Sequence, residues 1–279
     1  SLASLFWGMP QPLFFDQIKY VPSIEVAMHR GLWSFVILFF LLFFLNEIKD
    51  FIDLFKSSKT IIILSITSIL IAINWTGFIY SVSINKVQDA SLGYFLTPMI
   101  SIGFGFLFLK EKLNIKKTIS VFLMIMACFI LFISLRDFPL IAILIGTTWA
   151  IYGLLRKQIK VSPAIGLLYE SAFISMFALP YLLYLSFLNI GEFSLNYNVT
   201  NIMLILTGLV TIFPLFFFNL GLKYIPLGLA GVLFYIAPSF HFITSVFLLD
   251  EYLEFSKLLS FIIIWIGVGI FIYDAIKNN

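Results

Sequence analysis

The sequence predicts an all-α polytopic membrane protein: ten transmembrane helices in two inverted five-helix repeats. Three observations predict it. Of 279 residues, 61% are hydrophobic and 11% are charged. A soluble domain carries about 25% charged residues, so this chain has too little polar surface to cover a globule in water. Apolar stretches near the length needed to cross about 30 Å of hydrocarbon recur along the whole chain. Residues 89–117 form an apolar run with an internal proline, a terminal Glu and a basic hairpin after it, and residues 229–257 repeat that plan up to the terminal Glu. Pro98 and Pro238, Glu111 and Glu251, and Lys117 and Lys257 are each 140 residues apart. The ungapped match divides the chain into repeats at 1–135 and 136–279.

Ten candidate spans follow, at about 1–18, 22–46, 59–84, 88–109, 115–134, 138–155, 163–188, 200–221, 226–249 and 256–275. The first is short. Part of that helix is expected to lie before Ser1, and no cleavable signal peptide is expected, because residues 2–15 lack a basic flank and a small-residue cleavage site. The second opens PSIEVAMHRG, and its uninterrupted apolar part, residues 31–45, covers about 22 Å at 1.5 Å per residue. That is about 8 Å short of the core, so His29 and Arg30 enter the slab, with Glu25, His29 and Trp33 on one helical stripe.

The third span carries Asn74 and Trp75, and the sixth carries Thr148 and Tyr152. The fourth and ninth hold Pro98 and Pro238, each of which frees a carbonyl one turn earlier. Ser91, Tyr94, Ser101 and Gly105 share a sector around Pro98. Gly231, Phe234, His241 and Ser245 form the matching set around Pro238, with Tyr235 beside them. Small and polar residues on one stripe mean close helix packing or a lined cavity, and both readings stay open. Glu170 lies seven residues into the seventh span, about 10 Å deep, and its counterpart at the 140 offset is Arg30. The connections are short and polar, the longest being 46–59 and 189–200.

Basic residues set the orientation. With the N-terminus inside, twelve Lys and Arg fall on the cytoplasmic side, Arg156 and the cluster from Lys110 to Lys117 among them. Four fall opposite: Lys19, Lys86, Arg136 and Lys257. The hairpin after the fourth span is basic and the one after the ninth is acidic, as an odd number of spans per repeat requires.

The chemistry-bearing residues are few. The single Cys128 excludes an internal disulfide, and the two His form no HExxH, so no cofactor or metal is expected. No nucleic-acid partner is expected at a net charge of +3. Ionisable groups within the spans are the informative feature, because they are expensive in lipid. Arg30 either snorkels to the interface or lines a solute pathway. Glu170 either bonds a neighbouring helix or faces a cavity.

VPSIEVAMHRGLWS, NWTGFIYSVSINKVQDASLGYFLTP, FLKEKL, YGLLRKQIKV and FIIIWIGVGIFIYDAI resemble the RarD-type branch of the EamA, or drug/metabolite transporter, family. The resemblance runs over nearly the whole chain. It implies ten helices in two inverted repeats, both termini cytoplasmic, and movement of a small metabolite or drug. The expectation is a bacterial inner-membrane carrier, a monomer or homodimer, with alternating access between the repeats. Proton or ion coupling would use Glu25, His29 or Glu170. The alternatives are a passive facilitator or channel, and a non-transporting sensor or scaffold. An enzyme is not expected, since no catalytic constellation is visible.

Overall fold

The structure is a computed structural model that describes residues 1–84, 87–133, 139–194, 198–247 and 255–277; the side chains of 87–91, 241, 242, 244–247 and 257 fall outside the description. The helices are α1 (Leu2–Gly8), α2 (Pro10–Asp16), α3 (Ser23–Phe44), α4 (Ile48–Asp53), α5 (Ser58–Ser83), α6 (Val87–Leu109), α7 (Ile115–Ile133), α8 (Leu140–Lys157), α9 (Pro163–Phe187), α10 (Val199–Tyr224), α11 (Leu227–Phe234), α12 (Ile236–Phe247) and α13 (Phe255–Lys277). Among the described residues there is no strand. Helices satisfy their own backbone, which lipid demands. Among the described residues, eight helices are long and apolar enough to cross a membrane. Large apolar side chains such as Phe44, Phe122, Met176 and Phe187 stay exposed on the outer faces, where a bilayer would cover them.

The remaining two expected spans are each broken in two. In the first, Pro10 opens α2 and Met9 leaves helical geometry at φ −123°, ψ −63°. Proline has no N–H to continue the ladder of α1 but suits a first helical position. In the ninth, Pro238 cannot donate to the carbonyl of Phe234, and the chain tightens at Tyr235, whose N–H reaches Val232 O at 3.1 Å. The helix around Pro98 continues through the proline. The connection at 46–59, expected as loop, contains α4.

Helix starts repeat along the chain. Ser23 and Pro163, Val87 and Leu227, and Ile115 and Phe255 are each 140 residues apart. Packing repeats in the same way. Helices α3, α6 and α7 lie against their own counterparts α9, α11 and α13. The pair α6–α8 is matched by α12–α1, α5–α8 by α10–α1, and α3–α10 by α9–α5. A two-fold relation between halves produces this pattern.

Small residues set the closest crossings, as in lipid, where packing replaces the hydrophobic drive between helices. A Cβ on Gly93 would lie 2.7 Å from Ala142 O, and one on Gly146 would lie 2.8 Å from Gly93 O, so α6 and α8 touch backbone to backbone. At the matching crossing of α1 and α12, a Cβ on Gly8 would lie 2.8 Å from Ala237 O.

Candidate functional site

Arg30 sits in α3, just before Gly31, where a Cβ would overlap Ile174 of α9. That close approach carries Arg30 into the protein, and the residue is only 1% exposed. Its guanidinium lies 4.9 Å from the Phe15 ring centre and 4.5 Å from that of Trp75, a cation–π arrangement. The break after α1 is what brings α2, and so Phe15, to this position. Arg30 Nε donates to Thr211 Oγ1 of α10 at 2.9 Å. Among the described residues no carboxylate pairs with it; Glu25, one turn away, instead accepts from the backbone N–H of Glu192 at 2.8 Å. Arg30 is thus enclosed by protein and does not reach the surface.

A narrow cavity opens beside it. Gln11, Arg30, Asn74, Trp75 and Tyr94 line it from the first half, with Trp7 and Phe78; Trp149 and Phe234 close it from the second. Among the described residues, two buried donors here have no hydrogen-bond partner: Arg30 Nη1 and Trp149 Nε1. Asn74 Nδ2 is engaged with Ile145 O at 2.9 Å and Thr148 Oγ1 at 3.0 Å, so Thr148 stands behind the cavity. The Trp149 ring stacks on Tyr152 at 5.2 Å and meets Trp7 edge-on at 4.9 Å.

A second polar cluster lies across Trp75, which also borders the cavity beside Glu170. Glu170 of α9 is 2% exposed. Thr67 of α5 donates to its Oε1 at 2.6 Å, and Tyr152 of α8 donates to its Oε2 at 3.2 Å. Asn219 of α10 donates to Tyr152 Oη at 2.7 Å and accepts from Arg156 Nε at 2.9 Å. The ring closes where Arg156 Nη1 approaches Glu170 Oε1 at 3.7 Å, an ion pair too long to be a hydrogen bond. Space for the guanidinium exists because residue 166 is glycine; a Cβ there would lie 2.6 Å from Arg156 Cζ. Arg30 and Glu170 therefore lie in neighbouring interior clusters without a direct bridge. Each is hydrogen-bonded to a threonine on the helix next to it, α10 for one and α5 for the other.

The other expected site residues are dispersed. Glu25 and His29 lie beneath residues 191–193; His29 Nδ1 accepts from Trp33 Nε1 at 3.2 Å, and its ring lies 5.0 Å from Phe193. Pro98 and Ser101 are buried where α6 crosses α11; a Cβ on Gly231 would lie 2.9 Å from Ser101 Cβ, so close packing occupies this stripe. Tyr235 is buried and donates to Phe95 O at 3.1 Å. Pro238 is buried in α12, while the side chains of Ser91 and His241 lie outside the described residues.

Sequence reasoning missed Gln11, Trp149, Thr67, Thr211, Asn219 and Arg156. Asn219 could have been found, being an amide inside the apolar run FPLFFFNLGL. Arg156 could not. It stands beside Lys157 at the end of a span, where the basic bias places it on the cytoplasmic flank, but it is buried. Lys157 behaves as a flank residue, donating to Leu222 O at 2.8 Å and Ile225 O at 2.6 Å at the end of α10. The basic bias keeps its direction without Arg156.

Comparison with known proteins gives the family and the fold. The profile of the EamA-like transporter family matches residues 1–133 and again 139–273. An uncharacterized transporter of Bacillus subtilis (strain 168), YojE, is 32% identical, covering 99% of this chain and 93% of its own. Protein RarD of Escherichia coli (strain K12) is 31% identical, covering 100% of this chain and 94% of its own. One crystal structure superposes with a TM-score of 0.71 at 13% identity, over 99% of this chain and 96% of that one, and shares the fold. These matches point to a transporter rather than an enzyme, and the chain is a multi-pass membrane protein that belongs to the EamA-like transporter family, in its RarD-type branch.

Proposed function

We propose that the protein is a secondary-active carrier for a small polar or amphipathic solute, working by alternating access between its two halves in a bacterial inner membrane. The observation that carries this reading is the cavity at Arg30, walled by α1, α2, α3, α5 and α6 from one half and by α8 and α11 from the other. A site at the junction of two repeats changes its exposure when the repeats rock against each other. The broken helices α1–α2 and α11–α12 meet beside it, where irregular backbone is tolerated because protein surrounds it. The excess of Lys and Arg in the connections expected to be cytoplasmic supports placing both termini inside.

Glu170 is the group assigned here to proton exchange. It is a carboxyl deep in a span, held by two hydroxyls and by the guanidinium of Arg156. A movement of α8 against α9 that loosens the Arg156 contact leaves a charge that a proton can neutralise. The test begins with cells lacking and overproducing the protein, whose metabolite pools are compared inside and outside. A solute found in this way is then followed in proteoliposomes. Saturable uptake accelerated by solute on the far side supports a carrier. Non-saturable flux without exchange replaces it with a channel, and unchanged pools overturn transport altogether.

A further inference from the structure

We infer that the Arg30 cavity is a carboxylate-binding subsite, and that the transported solute is a monoanion with an aromatic or otherwise apolar body. The inference rests on the carrier reading and names its substrate class.

Among the described residues, Arg30 is the one charged group lining the cavity, and no carboxylate faces it. Arg30 is 1% exposed, its Nε is used by Thr211, and its Nη1 has no partner. Trp149, 4% exposed, presents an unpartnered Nε1–H from the opposite half. Natural interiors leave few buried donors unmatched, so each one calls for an explanation. Two such donors lining one cavity, one of them on a guanidinium, call for an acceptor, and a charged acceptor best relieves a buried unpaired cation. The Asn74 amide is already engaged by Ile145 and Thr148, so its NH₂ adds little to the pull on an acceptor. One cation, with one free donor on it and a second on Trp149, matches the charge of a carboxylate better than that of a phosphate dianion.

The rest of the wall selects the body of the solute. Trp7, Phe78, Trp149 and Phe234 present aromatic surface to the same cavity. With the halves as close as they are here, the space admits about one water-sized group. It therefore receives a carboxylate oxygen, and the aromatic wall must part to take the body. Because one donor comes from each half, a bound carboxylate ties the halves together across the cavity.

The test uses the full-length protein in detergent, with phenylacetate, its neutral isostere phenylacetamide and the cation phenethylamine as probes. Binding is read from intrinsic tryptophan fluorescence, since Trp7, Trp75 and Trp149 line the cavity, and from calorimetry. Phenylacetate is expected to bind about tenfold or more tightly than the amide, and the amine weakest of the three. Arg30→Gln is expected to erase the preference for the carboxylate. Trp149→Phe keeps an aromatic face on the cavity and removes the N–H, so it serves even if the Arg30 variant fails to fold; it should weaken phenylacetate several-fold and the amide less, since a charged acceptor gains more from the donor than a neutral carbonyl does. Equal binding of acid and amide, a preference that survives Arg30→Gln, or no saturable signal from any probe overturns the inference. If metabolite profiling identifies a neutral or cationic solute, the carrier reading stands and the anion subsite falls. If profiling finds no solute while phenylacetate binds in an Arg30-dependent way, the subsite stands and the carrier reading falls.

Discussion

At the scale of single residues, the ring joining Arg156, Asn219, Tyr152 and Glu170 makes the sharpest demands. Removing one member of a buried pair leaves the other uncompensated, at a cost of about 3–5 kcal/mol. Arg156→Met is therefore expected to lower the thermal stability of the purified protein strongly, and pairing it with Glu170→Gln should restore much of the loss. Additive losses in that double-mutant cycle would show that the two groups do not sense each other across 3.7 Å. Gly166→Ala should reproduce part of the Arg156 defect, since the new methyl occupies the guanidinium's place. Glu170→Gln alone should insert normally and abolish any pH dependence of transport, because the amide fills the same space without exchanging a proton. A pH profile unchanged in proteoliposomes would move proton exchange elsewhere.

At the scale of elements, the joins between helices matter more than the spans themselves. Helices α3 and α9 end alike, with Asn46 and Asn189 at positive φ of 59° and 52°. The following amides reach back to Leu42 O at 2.9 Å and Leu185 O at 3.1 Å, a closure that asparagine tolerates. The start of α11 is held differently. Glu111, from the hairpin after α6, accepts from the N–H of Leu227 at 2.6 Å and of Gly228 at 3.0 Å. A carboxylate at a helix N-terminus satisfies orphan amides and complements the dipole. Glu111→Ala should cost roughly 1–2 kcal/mol, with faster hydrogen exchange at Leu227 and Gly228. Exchange at wild-type rates would mean that the contact adds nothing to the helix. Glu111 was legible as the end of a repeated plan, but its partner was not, because the two segments are separated by 116 residues.

At the scale of the whole molecule, the prediction concerns orientation. Lys56 and Glu192 are both exposed and lie in connections expected on opposite sides. The only native thiol, Cys128, is buried and should stay silent. In intact spheroplasts an impermeant maleimide should label Glu192→Cys, and should reach Lys56→Cys only after permeabilisation. The reverse pattern would invert the molecule in the membrane.

The sequence by itself determined the membrane class, most of the spans and the doubled plan of the chain. Hydropathy, helix length and proline spacing are local quantities, so they can be read in any window without knowing what lies opposite. It also determined that Arg30 and Glu170 needed an explanation, since ionisable groups in lipid are costly wherever they sit. Only the tertiary structure decided where they point. Arg30 meets Thr211 across 181 residues, and its two aromatic neighbours come from separate helices. Arg156 is interior because a glycine on the next helix leaves room for it. The first and ninth spans break beside Pro10 and Pro238 while the helix at Pro98 runs through its proline, a difference that the presence of a proline does not set by itself. Those outcomes follow from backbone approaches of a few ångströms between distant segments, and composition and periodicity do not record such distances.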